Sequence, residues 1–312
     1  MSPYKSSPWE RLFLALCHRI GQTPPMVMKV AGIQMDVRLG EVAENLVTMS
    51  ERAEAAAKQG ARLVIFPECA VSGYCFESLD EALGVSEPIP GPSTLALTTV
   101  CERLQIHMVV GMLEKGEDGA LYNAAVLIGS GGVVASYRKA HLPFLGVDRF
   151  TTPGDRPFEV ATADALRVGM NICYDATFPE AARVLMLEGA DLIALPTNWP
   201  PGSEPAAAYV INARALENHL YYAAINRVGV ERGFEFIGHS RICGPGGETL
   251  ADAPHRNECI LYAEIDPEAA RNKRIVRVSK RHEIHRYRDR RPDLYSEVVA
   301  DRGMRRFRGD SD

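Results

Sequence analysis

Three reactive side chains each follow a short run of the kind that forms a buried strand. Glu68 follows the run VIFP, Lys139 follows ASYR, and Cys173 follows VGMNI. A strand end holds a side chain rigidly and presents it on a loop, which is where functional residues usually lie. A surface charge or an inert buried cysteine explains any one of them alone. Their joint occurrence supplies a base, a cation and a nucleophile, and this favours nucleophilic catalysis.

Cys173 is the candidate nucleophile because it stands where a strand-like run gives way to a predicted helix. Backbone N–H groups at a helix start lower the pKa of a thiol and stabilise a negatively charged oxygen. A lysine beside the thiol should also favour the thiolate. Glu68 should resist ionisation if its surroundings are apolar, so we expect the titrations of the three groups to be coupled.

The region between residues 29 and 270 alternates between strand-like and helix-like patterns, beginning with strand, helix and strand. This order is typical of α/β layered folds. No repeat or low-complexity linker interrupts the region, so we predict a single domain. It should contain roughly a dozen strands and four helices, the helices at about 41–59, 93–104, 178–188 and 204–218.

The composition is that of an ordinary globular chain, and it excludes several classes of protein. The chain has 312 residues, of which 46% are hydrophobic, and its net charge of −5 gives no positive field for general nucleic-acid binding. No apolar run approaches the roughly 18 residues that cross a bilayer. Seven scattered cysteines suit free thiols in a reducing compartment. We therefore expect a cytoplasmic protein with no nucleic-acid or membrane partner.

The two ends of the chain differ from its middle. We interpret residues 1–25 as an extension, residues 26–270 as the domain and residues 271–312 as a basic arm. Between Arg271 and Arg291 ten basic residues face two acidic ones, a local charge of +8, which leaves −13 for the rest. Such an arm either binds a nucleic acid or another acidic partner, or packs on an acidic surface of its own chain or of a second subunit. We favour the packing arm. Removing the residues after Ile275 should then lower stability or oligomer size.

Several motifs resemble those of the carbon–nitrogen hydrolase, or nitrilase, superfamily. They are FPE at 66–68, YRKAHLP at 137–143, CYD at 173–175, FPE at 178–180 and LPTNWP at 195–200. The resemblance extends over about residues 29–295. It implies a single-domain, four-layer α-β-β-α sandwich, usually assembled as homodimers or larger homo-oligomers. It also implies a small-molecule substrate and no metal or organic cofactor.

The resemblance implies a role for each reactive residue. Cys173 would attack an amide carbon, Glu68 would take the thiol proton, and Lys139 would stabilise the oxyanion together with the Tyr174 N–H. A thioester would form and then be hydrolysed. Many members carry a second acid after the lysine. This chain departs from them, because the plausible occupant is Asp148, whose side chain is one methylene shorter.

The segment after the nucleophile points to the amidase-like branch. Amide hydrolases of this family commonly place Tyr-Asp after the cysteine, as in Tyr174 and Asp175, whereas nitrilases more often place Trp-Glu there. Branches that act on carboxylate-bearing substrates often carry arginine where this chain has Thr177. We therefore expect a small neutral amide, unless Arg149 or Arg183 binds a carboxylate. A nitrile and an N-carbamoyl amine are the alternative substrates.

Several further residues are candidates for the pocket or have simpler explanations. Tyr74, Phe144, Asn198 and Trp199 each lie within or just beyond a motif and could contact substrate, although an aromatic residue there could equally be core. His141 could indicate a Cys-His hydrolase, but a hydrogen-bonded structural histidine explains it as well. His282 and His285 lack further ligands at suitable spacing, so we predict no metal site. A catalytically silent interaction protein is disfavoured because all three reactive residues are present.

Overall fold

The computed structural model describes residues 27–300. The predicted extension at 1–25 and the last part of the predicted arm, 301–312, lie outside this range. The helices are α1 (Val42–Lys58), α2 (Leu79–Leu83), α3 (Pro92–Leu104), α4 (Pro179–Leu187), α5 (Ile211–Asn218), α6 (Pro267–Arg271) and α7 (Ser296–Val299). Within the described range, no helix is long and apolar enough to span a bilayer.

The strands form two six-stranded sheets and two short hairpins. They are β1 (Met28–Gln34), β2 (Leu63–Ile65), β3 (His107–Lys115), β4 (Leu121–Gly129), β5 (Gly132–Arg138), β6 (Val160–Ala163), β7 (Leu166–Met170), β8 (Leu192–Thr197), β9 (Tyr221–Asn226), β10 (Val230–Glu231), β11 (Phe234–Glu235), β12 (Arg241–Cys243), β13 (Thr249–Asp252), β14 (Cys259–Ile265), β15 (Arg274–Val278) and β16 (His282–His285). The first sheet has the order β14-β1-β2-β3-β4-β5 and the second β13-β12-β9-β8-β7-β6. The hairpins are β10-β11 and β15-β16.

Each sheet contains three parallel strands, and those of the two sheets point in the same direction. Strands β1, β2 and β3 are parallel in the first sheet, as are β7, β8 and β9 in the second. Asp36, beyond β1, forms a parallel bridge with Val228, beyond β9, so these two central strands point the same way. The carboxyl ends of the parallel strands therefore meet at one edge of the molecule, where α/β folds usually place their functional residues.

The core lies between the facing sheets and beneath the helices. A Cβ added to Gly32 on β1 would lie 2.1 Å from the Ile225 side chain on β9, so the sheets approach closely there. On the outer side of the first sheet, Met49 of α1 and Leu97 of α3 are buried against the strands. Leu185 of α4 and its neighbours cover the second sheet. The order helix, sheet, sheet, helix confirms the predicted four-layer sandwich and single domain.

The differences from the predicted elements have local causes. The strand-like run after Leu166 stops at Met170 instead of reaching the cysteine, because the chain turns there. The helix predicted at about 204–218 starts at residue 204, but a π-helical turn, Ala206–Val210, interrupts it before α5. The short elements α2, β6, β13, β15 and β16 were not predicted, since they carry little periodicity of their own.

The described part of the basic arm contacts the domain mainly through its first residues. Arg271 donates to both carboxylate oxygens of the buried Asp191, at 3.0 and 2.7 Å. Lys273 donates to the carbonyl oxygens of Asn218 and His219 at the end of α5. Beyond this point β15 is largely exposed, whereas β16 is mostly half-buried. The contact with Asp191 joins basic and acidic groups within one chain, at the beginning of the arm.

Candidate active site

Glu68 lies in the loop after β2, at the carboxyl edge of the first sheet. It is fully buried, and the following residue, Cys69, has a positive φ of 50°. This loop rests directly on β3, because a Cβ at Gly111 would lie 2.5 Å from the Cys69 nitrogen and 2.7 Å from the Glu68 Cα. Glycine at position 111 is therefore required for the backbone that carries Glu68 to approach the sheet.

Lys139 immediately follows β5, which runs in the same direction as β2 because two antiparallel pairings separate β3 from β5. Its ammonium is buried between two carboxylates. Nζ donates to Glu68 Oε1 at 2.7 Å and to Asp148 Oδ2 at 2.5 Å. Burial opposes the charge on Lys139, but Asp148 and Glu68 outweigh it and raise the pKa of the lysine well above its ordinary value. The lysine is therefore a permanent cation.

Asp148 reaches this ammonium from the 3-10 turn Gly146–Arg149 and is almost completely buried. Its Oδ2 also accepts a hydrogen bond from the Tyr74 hydroxyl at 2.8 Å. The turn lies against the Tyr74 segment, because Val147 N–H donates to the Tyr74 carbonyl at 2.9 Å. The turn therefore brings the shorter aspartate side chain into contact with the Lys139 ammonium.

Gly146 lies in this turn and leaves room for the Tyr74 ring. Replacing it should disturb the backbone of the turn and the packing of Tyr74. Its φ is +48°, and a Cβ would lie 2.2 Å from the Tyr74 ring. We expect Gly146→Ala to lower the free energy of unfolding by about 2–4 kcal/mol, because overpacking and left-handed backbone strain add. Gly119→Ala is the control, since Gly119 also has a positive φ but nothing within 4 Å of its Cβ. Equal losses in urea unfolding of the two variants would contradict the packing argument.

Cys173 begins the 3-10 turn Cys173–Thr177 with a strained, positive φ of 45°. Asp175, fully buried, holds this turn by accepting hydrogen bonds from Ile172 N–H and the Tyr137 hydroxyl, both at 2.8 Å. Its other oxygen contacts His141 Nδ1 at 2.7 Å and accepts from the His141 N–H. Asp175 thus joins the cysteine turn to the segment that carries the lysine. His141 is thus hydrogen-bonded to Asp175, as expected of a structural histidine.

The Cys173 thiol is less acidic than the local sequence predicted. Burial raises its pKa to about 12, the Glu68 charge acts in the same direction, and Lys139 only partly opposes them. The expectation of a lowered pKa was therefore wrong. The predicted helix start does not help, because the cysteine opens a five-residue 3-10 turn and α4 begins only at Pro179. A thiol of this kind needs a base to remove its proton.

Glu68 is suited to be that base. Burial raises its pKa above the ordinary value, and the neighbouring Asp148 charge adds to this, although Lys139 acts against it. Its Oε1 accepts hydrogen bonds from Lys139 and Asn123, both at 2.7 Å, whereas the buried Oε2 has no partner in the described structure. One oxygen is thus fixed and the other is free to accept a proton.

The raised pKa of Glu68 predicts the pH dependence of the reaction. A base works as the carboxylate, which forms only as the pH rises through its pKa. Because burial raises this pKa, the acidic limb of kcat/KM should lie above the ordinary glutamate value of 4.5. The measurement is kcat/KM for a small amide between about pH 4 and 9. A rate that stays constant down to pH 4.5 would contradict the assignment.

The other predicted pocket residues lie at different depths. Tyr74 is buried beside Asp148, whereas Tyr174 and Phe144 are exposed, at 39% and 73%. Tyr174 packs edge-on against Phe178, with ring centroids 5.1 Å apart. The Thr177 side chain is exposed, and its carbonyl accepts a hydrogen bond from Arg214.

The last residue of β8 and the loop after it also reach the cysteine. The Thr197 side chain and the Asn198 N–H are close enough to the Cys173 sulfur to act on its pKa. Asn198 is fully buried, and neither polar atom of its side chain has a hydrogen-bond partner in the described structure. Trp199 is buried, and its backbone N–H donates a hydrogen bond to Asn226 Oδ1 at 2.9 Å.

Arg149 and Arg183 were the residues considered for binding a substrate carboxylate. The guanidinium of Arg149 already donates hydrogen bonds, and Arg183 lies elsewhere in the structure. The Arg149 guanidinium donates to the carbonyl oxygens of Gly146 and Phe76, each at 3.0 Å. Arg183 lines a groove with Glu217 and Tyr295, between the helices of the outer layer and the arm.

Among residues 27–300, no group of three or more potential ligands is arranged to hold a metal ion. His282 and His285 are the first and last residues of β16, in the short hairpin of the arm.

Two residues at the site were missed by sequence reasoning. Asn123 contacts both buried carboxylates, and Asp175 holds the cysteine turn. A signal existed for Asn123, because a polar residue within the apolar run LYNAAVLIG of β4 is an exception that needs a partner. Asp175 was noticed only as part of a motif, and its contacts with distant segments leave no local pattern.

Comparison with known proteins identifies the family. A sequence model of carbon–nitrogen hydrolases matches residues 29–275. The chain belongs to the carbon–nitrogen hydrolase family. It is 40% identical over 270 residues to a protein named nitrilase from Pyrococcus abyssi (strain GE5 / Orsay), covering 86% of this chain and 99% of that protein. The human omega-amidase NIT2 is 32% identical over 252 residues, covering 77% of this chain and 87% of that protein.

A solved structure of the same family supports the architecture. The crystal structure of the carbon–nitrogen hydrolase from Helicobacter pylori G27 superposes with a TM-score of 0.77 at 26% identity, covering 88% of this chain and 99% of that one. The resemblance inferred from the motifs is therefore confirmed. This carbon–nitrogen hydrolase is an enzyme of the nitrilase superfamily, with amidase-type relatives.

Proposed function

We propose that this enzyme hydrolyses the carbon–nitrogen bond of a small, neutral amide through a thioester on Cys173. The observation that carries the proposal is the state of Glu68, whose Oε1 is fixed by two donors and whose buried Oε2 is free. A buried carboxylate with one oxygen free, whose charge raises the pKa of the protonated thiol, is the arrangement that a general base requires.

The proposed reaction proceeds in two stages. Glu68 takes the thiol proton as the Cys173 sulfur bonds to the amide carbon, and Lys139 stabilises the resulting oxyanion together with the Tyr174 N–H. Glu68 then gives the proton to the leaving nitrogen, the carbon–nitrogen bond breaks, and ammonia or an amine departs. Water, deprotonated by Glu68, next attacks the thioester, and the thiol is restored with release of the acid. Lys139 keeps its charge throughout, because two carboxylates surround it.

The preference for a neutral substrate rests on the charges around the thiol. Glu68 and Lys139 are the charged side chains with the largest effects on the pKa of Cys173, and each has a part in the chemistry. Thr177 offers no cation, Arg149 is held by two carbonyl oxygens, and Arg183 faces the outer groove. A substrate carboxylate would therefore lack the bidentate arginine partner that such groups usually have.

A substrate panel tests the proposal directly. Neutral aliphatic amides, ω-amido acids, nitriles and N-carbamoyl amines would be assayed for ammonia release, with Cys173→Ala as the control. We expect neutral amides to be preferred and the control to be inactive. A preference of more than about tenfold for a carboxylate-bearing amide, equivalent to about 1.4 kcal/mol, would contradict the neutral-substrate proposal. Turnover confined to nitriles or N-carbamoyl amines would support the alternative substrates instead.

A further inference from the structure

Asn123 lies on β4 at the centre of the site, where its carboxamide joins the two buried acids. Nδ2 donates one hydrogen bond to Glu68 Oε1 at 2.7 Å and another to Asp148 Oδ1 at 2.9 Å. Its backbone oxygen accepts from the Lys139 N–H at 2.8 Å. The side chain is completely buried. Both hydrogens of one amide are therefore used to hold two carboxylates in place around one ammonium.

The orientation of this carboxamide is set from its other side by Cys69. The Cys69 sulfur lies 3.7 Å from Asn123 Oδ1. Burial and the charge of Glu68 raise the pKa of Cys69 well above its ordinary value, so its thiol keeps its hydrogen and donates. Rotating the amide by half a turn would place Oδ1 against two carboxylates and the NH₂ group against the thiol. Only the observed orientation gives both carboxylates a donor and the thiol an acceptor.

We infer that Asn123 is a positioning residue that holds Glu68 with Oε2 free to take the Cys173 proton, and that Cys69 fixes the orientation of its amide. This inference rests on the proposed role of Glu68 as the base. Without Asn123, Oε1 would keep only Lys139 as a donor, and the Glu68 carboxyl could rotate about its last bond. The free oxygen would then no longer be held in one position.

The first test is Asn123→Leu, which keeps the approximate volume and removes the polar atoms. We expect kcat for a small amide to fall at least about tenfold while KM changes less than about twofold, because the substrate itself is not contacted. The acidic limb of kcat/KM should also move to higher pH. The reason is that the Asn123 hydrogen bond lowers the pKa of Glu68, so its loss raises that pKa.

A second readout does not depend on turnover. Alkylation of Cys173 by iodoacetamide, followed by peptide mass analysis across the pH range, reports how readily the thiol loses its proton. The same shift to higher pH is expected in Asn123→Leu. If the wild type hydrolyses no amide, the proposed function fails, but the alkylation profile still decides the role of Asn123.

Two further variants keep the inference testable. If the leucine variant does not fold, Asn123→Ser takes its place in the same assays. The smaller serine side chain cannot reach both acids, so the same effects are expected. Cys69→Ala should lower kcat more than Cys69→Ser, which keeps a hydrogen-bond donor. Wild-type pH profiles for both turnover and alkylation in a folded Asn123 variant would overturn the inference, and so would equal kcat values for the two Cys69 variants.

Discussion

Replacing Glu68 by glutamine is expected to lower kcat by about 10²–10⁴-fold, because the variant keeps the shape of the side chain and loses the base. Burial still raises the pKa of the remaining thiol, although the Glu68 charge no longer adds to it, and no base is left to take its proton. Iodoacetamide should therefore modify Cys173 more slowly in the variant. The fold should persist, because Asn123 and Lys139 can still donate to the amide oxygen.

Glu114→Gln provides the matched control for this experiment. Glu114 is also a buried glutamate that pairs with a basic residue, Arg138, at 2.7 Å, and it lies outside the group around the thiol. Its replacement should affect the free energy of unfolding and leave kcat within a few-fold of the wild type. Comparable kcat losses in the two variants would show that Glu68 matters as a structural ion pair and not as a base.

Replacing Lys139 by methionine is expected to affect both activity and stability. The variant loses an oxyanion donor, which typically costs about 10²–10³ in kcat. It also leaves Glu68 and Asp148 buried without their common counterion, and breaking such a buried pair typically costs about 3–5 kcal/mol. Part of this cost will be avoided, since one acid can take up a proton. Urea unfolding and steady-state kinetics measure the two effects separately.

The double variant Lys139→Met with Asp148→Asn separates the structural role of the lysine from its chemical role. Removing one carboxylate relieves the repulsion, so we expect a large part of the lost unfolding free energy to return. Activity should not return, because the oxyanion still lacks its cation. Recovery of kcat together with stability would contradict the proposed role of Lys139 in the reaction.

The sequence predicted the elements and residues whose signals are local. Glu68, Lys139 and Cys173 stand out because each follows a run that forms a strand, and the structure places all three at one edge of two sheets. The four-layer sandwich came from the family resemblance, whereas the strand order within each sheet was not predicted. Strand order depends on pairings between segments far apart in the chain, as between β1 and β14.

The parts of the site that were missed or predicted wrongly depend on long-range contacts. Asp148 meets Lys139 because its turn rests on Tyr74, which lies 74 residues earlier. The pKa of Cys173 was predicted to fall because the local argument considered a helix start and a lysine. Burial and the distant Glu68 carboxylate decide it in the opposite direction. A one-dimensional pattern contains no measure of burial at a loop residue.

The central claim is that Cys173 carries the acyl group during turnover, and peptide mass analysis of the working enzyme tests it most directly. The enzyme would be quenched in acid during hydrolysis of a small amide and digested without reducing agents. We expect an added acyl mass on the Cys173 peptide of the wild type. The Cys173→Ala variant should show no such adduct and release no ammonia. Ammonia release by Cys173→Ala at the wild-type rate, or an acyl group on another residue, would contradict it.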